Sequence, residues 1–97
     1  LSEILRVDGV DVFHVAPADL AQSMGHLGNI QHPDVEQVID RATDQIASAG
    51  KVAGAKVWSA NVEERIARGA RFLVCNWPDW MNEGSSRYLD MVAKFTK

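Results

Sequence analysis

The run Val10-Asp11-Val12-Phe13-His14-Val15-Ala16 leads straight into Pro17-Ala18-Asp19. β-branched and aromatic residues dominate the first seven positions, so residues 10–16 read as a buried strand. Pro17 lacks an N–H and has a fixed φ, so it ends that strand sharply. Upstream, Asp8-Gly9 is a turn signal, and Leu1, Ile4 and Leu5 are spaced as the tail of a helix. Downstream, residues 18–32 carry Gly25, Gly28 and Asn29 and read as a long loop. Pro33 then stands where a first helical residue would. Val35, Val38, Ile39, Ala42, Ile46 and Ala49 keep helical spacing, and Gly50 follows as a C-terminal cap.

Residues 51–57 form a second apolar strand. Asn61 with Glu64 resembles a capping box, opening a helix that carries Val62 and Ile66 and ends at Gly69. Residues 71–76 (Arg-Phe-Leu-Val-Cys-Asn) read as a third strand. Trp77, Trp80, Met81, Tyr88, Met91, Val92 and Phe95 then share one helical stripe, which Gly84-Ser85-Ser86 is expected to break in two.

Strands alternating with helices at this spacing mean βαβ units and a parallel sheet. Three units of about 30 residues account for 97 residues. Three parallel strands leave bare edges and an uncovered face. The fold class is therefore α/β: either the carboxyl-terminal three βα units of a (β/α)8 TIM barrel, which runs to about 250 residues, or a small doubly wound domain. Residues 1–97 form one segment of a single domain, with no repeat or linker. The chain opens at Leu1 without a signal-peptide pattern, and it reads as a piece of something larger.

Composition narrows the class of function. A chain 46% hydrophobic and 24% charged is ordinary for a globular protein, which argues against disorder. Ten Lys+Arg against thirteen Asp+Glu leave a net charge of −3, so general attraction to nucleic acid is not expected. No apolar run is long enough to span a membrane. The single cysteine, Cys75, has no internal disulfide partner, which fits a reducing cytoplasm.

In either architecture ligands gather at the carboxyl ends of the strands. Ala16, Pro17, Ala18 and Asp19 follow the first strand. Small Ala16 and Ala18 let a ligand approach the main chain, whose amides suit an anionic oxygen. Asp19 offers a hard carboxylate oxygen to Mg²⁺ or Mn²⁺. The competing reading is that Asp19 caps a short helix starting at Leu20.

Residues 10–35, with Ala-Pro-Ala-Asp-Leu, Met-Gly-His-Leu-Gly-Asn and His-Pro-Asp-Val in ungapped order, resemble the HpcH/HpaI aldolase family. These are class II, pyruvate-dependent aldolases acting on 4-hydroxy-2-oxo acids and 2-keto-3-deoxy sugar acids. The resemblance continues through Ala49-Gly50-Lys51, weakens at 69–72 and is poor after Asn76. It implies a (β/α)8 barrel whose sixth to eighth strands lie here. It implies that Asp19 is one of two carboxylates on a divalent metal ion (Mg²⁺, Mn²⁺ or Co²⁺). The second carboxylate, an arginine and a catalytic histidine would lie upstream of Leu1. It also implies that the amides near Ala18 and Asp19 hold the pyruvate carboxylate, and that the protein is a homo-oligomer, a hexamer, with its last helix on a neighbour.

Three positions depart from the family pattern. Ala16 stands for a glycine, His14 for an aliphatic residue, and Cys75-Asn76-Trp77-Pro78-Asp79 for the usual end of the eighth strand; Trp77 and Trp80 are expected to narrow the pocket. The implied reaction is reversible retro-aldol cleavage to pyruvate and an aldehyde, with Lewis-acid assistance from the cation. A base must take the C4 hydroxyl proton, and this segment contains no obvious one. The segment alone is expected not to catalyse.

Other readings remain open on the residues. His14, His26 and His32 lack zinc-type spacing. His14 reads as barrel filling, His26 as loop packing, and His32 as ordering the helix start. Cys75 reads as a buried inert thiol. Lys56, on a strand in apolar surroundings, stands where Schiff-base aldolases keep their nucleophile. A non-catalytic α/β assembly module also fits, and the aromatic stripe suggests a subunit interface.

Overall fold

The computed structural model describes residues 1–96. Its elements are β1 (Val12–His14), α1 (Pro17–Ser23), α2 (Pro33–Ser48), β2 (Val52–Lys56), α3 (Val62–Arg68), β3 (Ala70–Val74) and α4 (Trp77–Ala93), after a short 3₁₀ turn at Ile4–Arg6. The three strands form one sheet in the order β1-β2-β3, and both pairings are parallel. The βαβ reading is therefore the observed topology.

Alternation along β2 sorts the two faces of the sheet. Ala53 packs with Leu5, Phe13 and Ile46, while Ala55 and Val57 pack with Ala70 and Val62. This face carries α2 and α3, and its small alanines let the helices approach closely. Ile46 and Val35 of α2 are fully enclosed, each worth about 1.5–3 kcal/mol of burial. Val52, Gly54 and Lys56 point the other way. Gly54 pairs with His14, and a Cβ built on Gly54 would lie 3.0 Å from the His14 Cβ. On β3, Arg71 is an extra residue between the Ala70–Ala53 and Phe72–Gly54 pairs, so Phe72 and Val74 join the second face. That face has no helix on it, and Phe72 is half exposed.

Local chemistry explains the helix ends. His32 is the N-cap of α2: its Nδ1 accepts the Asp34 N–H at 3.2 Å, and Pro33 opens the helix. Gly50 follows the end of α2 at φ 71° and Gly69 closes α3 at φ 117°, both left-handed positions that favour glycine.

Several expectations change. The first strand is three residues long, not seven, and the expected loop at 18–32 begins inside a helix, because Pro17 opens α1 just as Pro33 opens α2. The Asn61–Glu64 capping box does not form; the Asn61 side chain turns inward instead. Gly84-Ser85-Ser86 does not break α4, since the Ser85 hydroxyl donates to the Met81 carbonyl at 2.6 Å and keeps its polar group within the helix. Cys75 is exposed rather than buried, because it follows an edge strand that α4 does not cover. No described helix is long and apolar enough to cross a membrane.

α4 buries none of its residues. Trp77, Trp80, Met81, Tyr88 and Leu89 are all at least 60% exposed. The radius of gyration is 16.9 Å and the long axis 61 Å, against about 13 Å for a compact chain of 100 residues. The helix stands off the sheet as an amphipathic arm, tied back where the Ser59 hydroxyl donates to the Glu83 carboxylate at 3.2 Å.

Candidate active site

The Ala16–Asp19 turn is built by the change from strand to helix at the carboxyl end of β1. Ala16 is extended (φ −79°, ψ 109°) and serves as the N-cap of α1, and its carbonyl accepts the Leu20 N–H at 3.0 Å. Pro17, Ala18 and Asp19 form the first helical turn, where amide N–H groups have no acceptor within the helix. Ala18 and Asp19 are exposed. Asp19 is the third helical residue and makes no capping bond, so the expectation that it caps a helix starting at Leu20 is overturned. Its carboxylate makes no hydrogen bond or ion pair among the described residues. As one hard oxygen donor on an exposed turn, Asp19 fits a divalent cation, with further ligands supplied from elsewhere.

The neighbouring strand is fixed at the same level. Asn61, 8% exposed, accepts the Trp58 N–H on its Oδ1 at 2.8 Å and donates from Nδ2 to the Lys56 carbonyl at 3.4 Å. This side-chain staple folds the chain back at the carboxyl end of β2. A small cavity beneath it is lined by Val15, Pro17, Lys56, Trp58, Asn61 and Arg65, among others. Trp58 lines this cavity, and Trp77 and Trp80 stand exposed on α4.

Arg65 is the functional neighbour that sequence reasoning missed. It is 3% exposed; it donates to Asp40 at 2.6 Å and also binds Glu36, while Arg68 binds Asp40 and Asp44 at 3.1 Å. Glu36, Asp40 and Asp44 recur every four residues, and Arg65 and Arg68 are three apart, so two facing helical rows were there to be read.

The histidines separate. His14 is exposed on the helix-free face of the sheet. His26 and His32 stack with ring centroids 3.6 Å apart, and both lie within 4 Å of the Asp34 carboxylate. The three residues could offer one ligand atom each, all within 4.8 Å. However, His32 Nδ1 already accepts the Asp34 N–H as the α2 cap, so that nitrogen is committed within the chain. This cluster is a structural brace of the loop.

Residues 1–75 match the model of the HpcH/HpaI aldolase/citrate lyase family. The chain belongs to that family. It is 45% identical over 74 residues to a 4-hydroxy-2-oxo-heptane-1,7-dioate aldolase of Klebsiella pneumoniae, a match covering 75% of this chain and 28% of the relative. It is 43% identical, with the same coverage, to a 2-keto-3-deoxy-L-rhamnonate aldolase of that organism. A crystal structure of an HpcH/HpaI family protein from Burkholderia cenocepacia superposes with a TM-score of 0.82 at 35% identity, over 93% of this chain and 36% of that one. The chain thus spans little more than a quarter of the curated relatives and about a third of the solved one. Within the family's barrel, the helix-free face bearing His14, Gly54, Lys56, Phe72 and Val74 is the inward face, and the Ala16–Asp19 turn stands at its carboxyl-terminal rim.

Proposed function

We propose that the full-length protein is a divalent-metal-dependent lyase that cleaves a 4-hydroxy-2-oxo acid, or a 2-keto-3-deoxy acid, to pyruvate and an aldehyde. The observation that carries this reading is the Ala16-Pro17-Ala18-Asp19 turn: its carboxylate caps nothing, and its free amides stand at the carboxyl end of a parallel strand. The activities for which the relatives are named support the substrate class. Asp19 holds the metal ion (Mg²⁺, Mn²⁺ or Co²⁺) together with ligands from outside residues 1–96. When bound, the cation supplies Lewis-acid stabilisation of charge developing on the 2-oxo oxygen. The amides of Ala18 and Asp19 hold the substrate carboxylate, and Ala16 and Pro17 keep the main chain accessible beside it. Cleavage breaks the C3–C4 bond, and its electron pair moves toward the 2-oxo group. The C4 hydroxyl proton leaves to a base outside this segment, and a proton delivered to C3 of the resulting enolate completes pyruvate. The protein is cytoplasmic, binds neither nucleic acid nor membrane, and works on small molecules.

Metal removal tests the reading. Chelation of the full-length protein should abolish exchange of the pyruvate C3 protons with deuterium, followed by NMR, and Mn²⁺ or Mg²⁺ should restore it. Exchange that survives chelation, with borohydride trapping pyruvate on the protein, would transfer the chemistry to a Schiff base on Lys56.

We propose further that α4 packs on a second copy in a homo-oligomer, a hexamer. An arm carrying two tryptophans, a tyrosine, a leucine and two methionines, all at least half exposed, supports this. Tyr88→Asp should weaken assembly by about 2 kcal/mol, near thirtyfold in dissociation constant, as read by light scattering across a dilution series. A variant that keeps its native mass on dilution but melts earlier would place the stripe inside its own barrel.

A further inference from the structure

We infer that Lys56 discriminates among aldehyde partners, favouring those that carry a second anionic group; the inference rests on the aldolase reading above. Lys56 is the last residue of β2. Ala53, Ala55 and Val57 are packed on the helix side, so strand alternation sends the Lys56 side chain to the opposite, inward face. β1 pairs with β2 through His14 and Gly54. Continuing that register by two residues sets Lys56 beside Ala16, at the start of the turn that bears Asp19.

The surroundings leave the ammonium group without an internal task. Its neighbour across β3 is Val74, which is apolar, and Gly54, two residues below it, has no side chain to compete for the same space. Among the described residues, Lys56 enters none of the ion pairs. Glu36 and Asp40, carboxylates of the same sheet end, lie on the helix side and are held by Arg65. The Asn61 side chain binds the Lys56 carbonyl and so fixes the backbone from which the side chain extends.

Adjacent strands lie about 4.8 Å apart, and a lysine stem reaches roughly a further 6 Å. The ammonium can therefore meet a group several carbons away from the pyruvate half. A flexible point charge suits a carboxylate at the far end of the aldehyde. The same charge offers a neutral aldehyde nothing and is desolvated when that aldehyde binds.

The test uses the full-length, metal-loaded protein in the direction of aldol addition. Pyruvate is combined with succinic semialdehyde or with butanal, a neutral aldehyde of the same carbon count. The parent should prefer the acidic aldehyde in kcat/KM. Lys56→Gln should lower that preference about 10- to 100-fold, the range for a charged hydrogen bond, and Lys56→Arg should keep most of it. Deuterium exchange of pyruvate alone, measured on the parent, separates the two claims. No exchange in the parent overturns the aldolase reading, and this inference with it. Exchange in the parent with an unchanged aldehyde preference in Lys56→Gln overturns the role of Lys56 and leaves the aldolase standing. If Lys56→Gln does not fold, loss of the preference in Lys56→Arg also counts against a role carried by charge. Borohydride trapping of pyruvate on Lys56 would make it a nucleophile and overturn the inference.

Discussion

Asp19→Ala in the full-length protein should lower kcat/KM for pyruvate release at least a thousandfold while leaving the fold in place. The two halves of that expectation have separate physical grounds. A carboxylate that binds a metal ion contributes several kcal/mol to stabilising developing charge, and a thousandfold loss corresponds to about 4 kcal/mol. The fold, by contrast, does not lean on Asp19. It is exposed and makes no capping bond, and losing a carboxylate from an exposed first turn costs only about 0.3–1 kcal/mol. The thermal transition should therefore move by no more than such a loss allows, about 1 kcal/mol. Asp19→Asn keeps the shape and one neutral oxygen, and should fall between the parent and the alanine variant at saturating Mn²⁺. The measurement is coupled pyruvate release over a metal titration, beside a melting curve. Parent-level activity in Asp19→Ala would remove Asp19 from the metal centre; lost activity with lost folding would show the turn to be structural.

Much of this architecture was legible before any coordinates. The strands were found because apolar runs switch cleanly between periods of 2 and 3.6, and Pro33, Gly50 and Gly69 mark ends by chemistry that needs no partner. The helix weighed at Leu20 starts three residues earlier, at Pro17, which carries the same signal as Pro33. The Asn61–Glu64 spacing misled for a tertiary reason: the Trp58 N–H and the Lys56 carbonyl offered Asn61 better partners than its own helix did. The proximity of His26, His32 and Asp34 depends on the path of a glycine-bearing loop, which spacing does not encode. The Ala16–Asp19 site stood out because its chemistry and its place at a strand end are both local. A ligand set drawn from residues far apart in the chain, which the proposed metal site requires, leaves no such local pattern.

The second large effect concerns Arg65. Its guanidinium bridges Glu36 and Asp40 at 3% exposure; Asp40 also binds Arg68, while Glu36 pairs with Arg65 alone among the described residues. Arg65→Met keeps most of the volume but leaves the partly buried Glu36 carboxylate without a cation and Asp40 with Arg68 alone. Breaking such a buried pair from one side costs about 3–5 kcal/mol. In a barrel of about 250 residues, that lowers the melting temperature by roughly 10 °C. The damage should also reach the active site. Arg65 is one turn from Asn61, and both line the cavity beneath Lys56, Trp58 and Pro17. When α3 loosens, the Asn61 staple loosens with it, and the carboxyl end of β2 loses its fixed position. A displaced site of this kind typically costs about a hundredfold in rate, so activity should fall below the melting point of the variant. The triple variant Glu36→Gln, Asp40→Asn, Arg65→Met removes the charges on both sides of the Arg65 bridge and leaves Arg68 on Asp44. It should recover most of the stability, because replacing a whole buried ion pair is close to neutral where removing half of it is not. Failure of the triple variant to recover would show that Arg65 acts through its packing. In that case the aliphatic stem, and not the charge, holds α3 to α2.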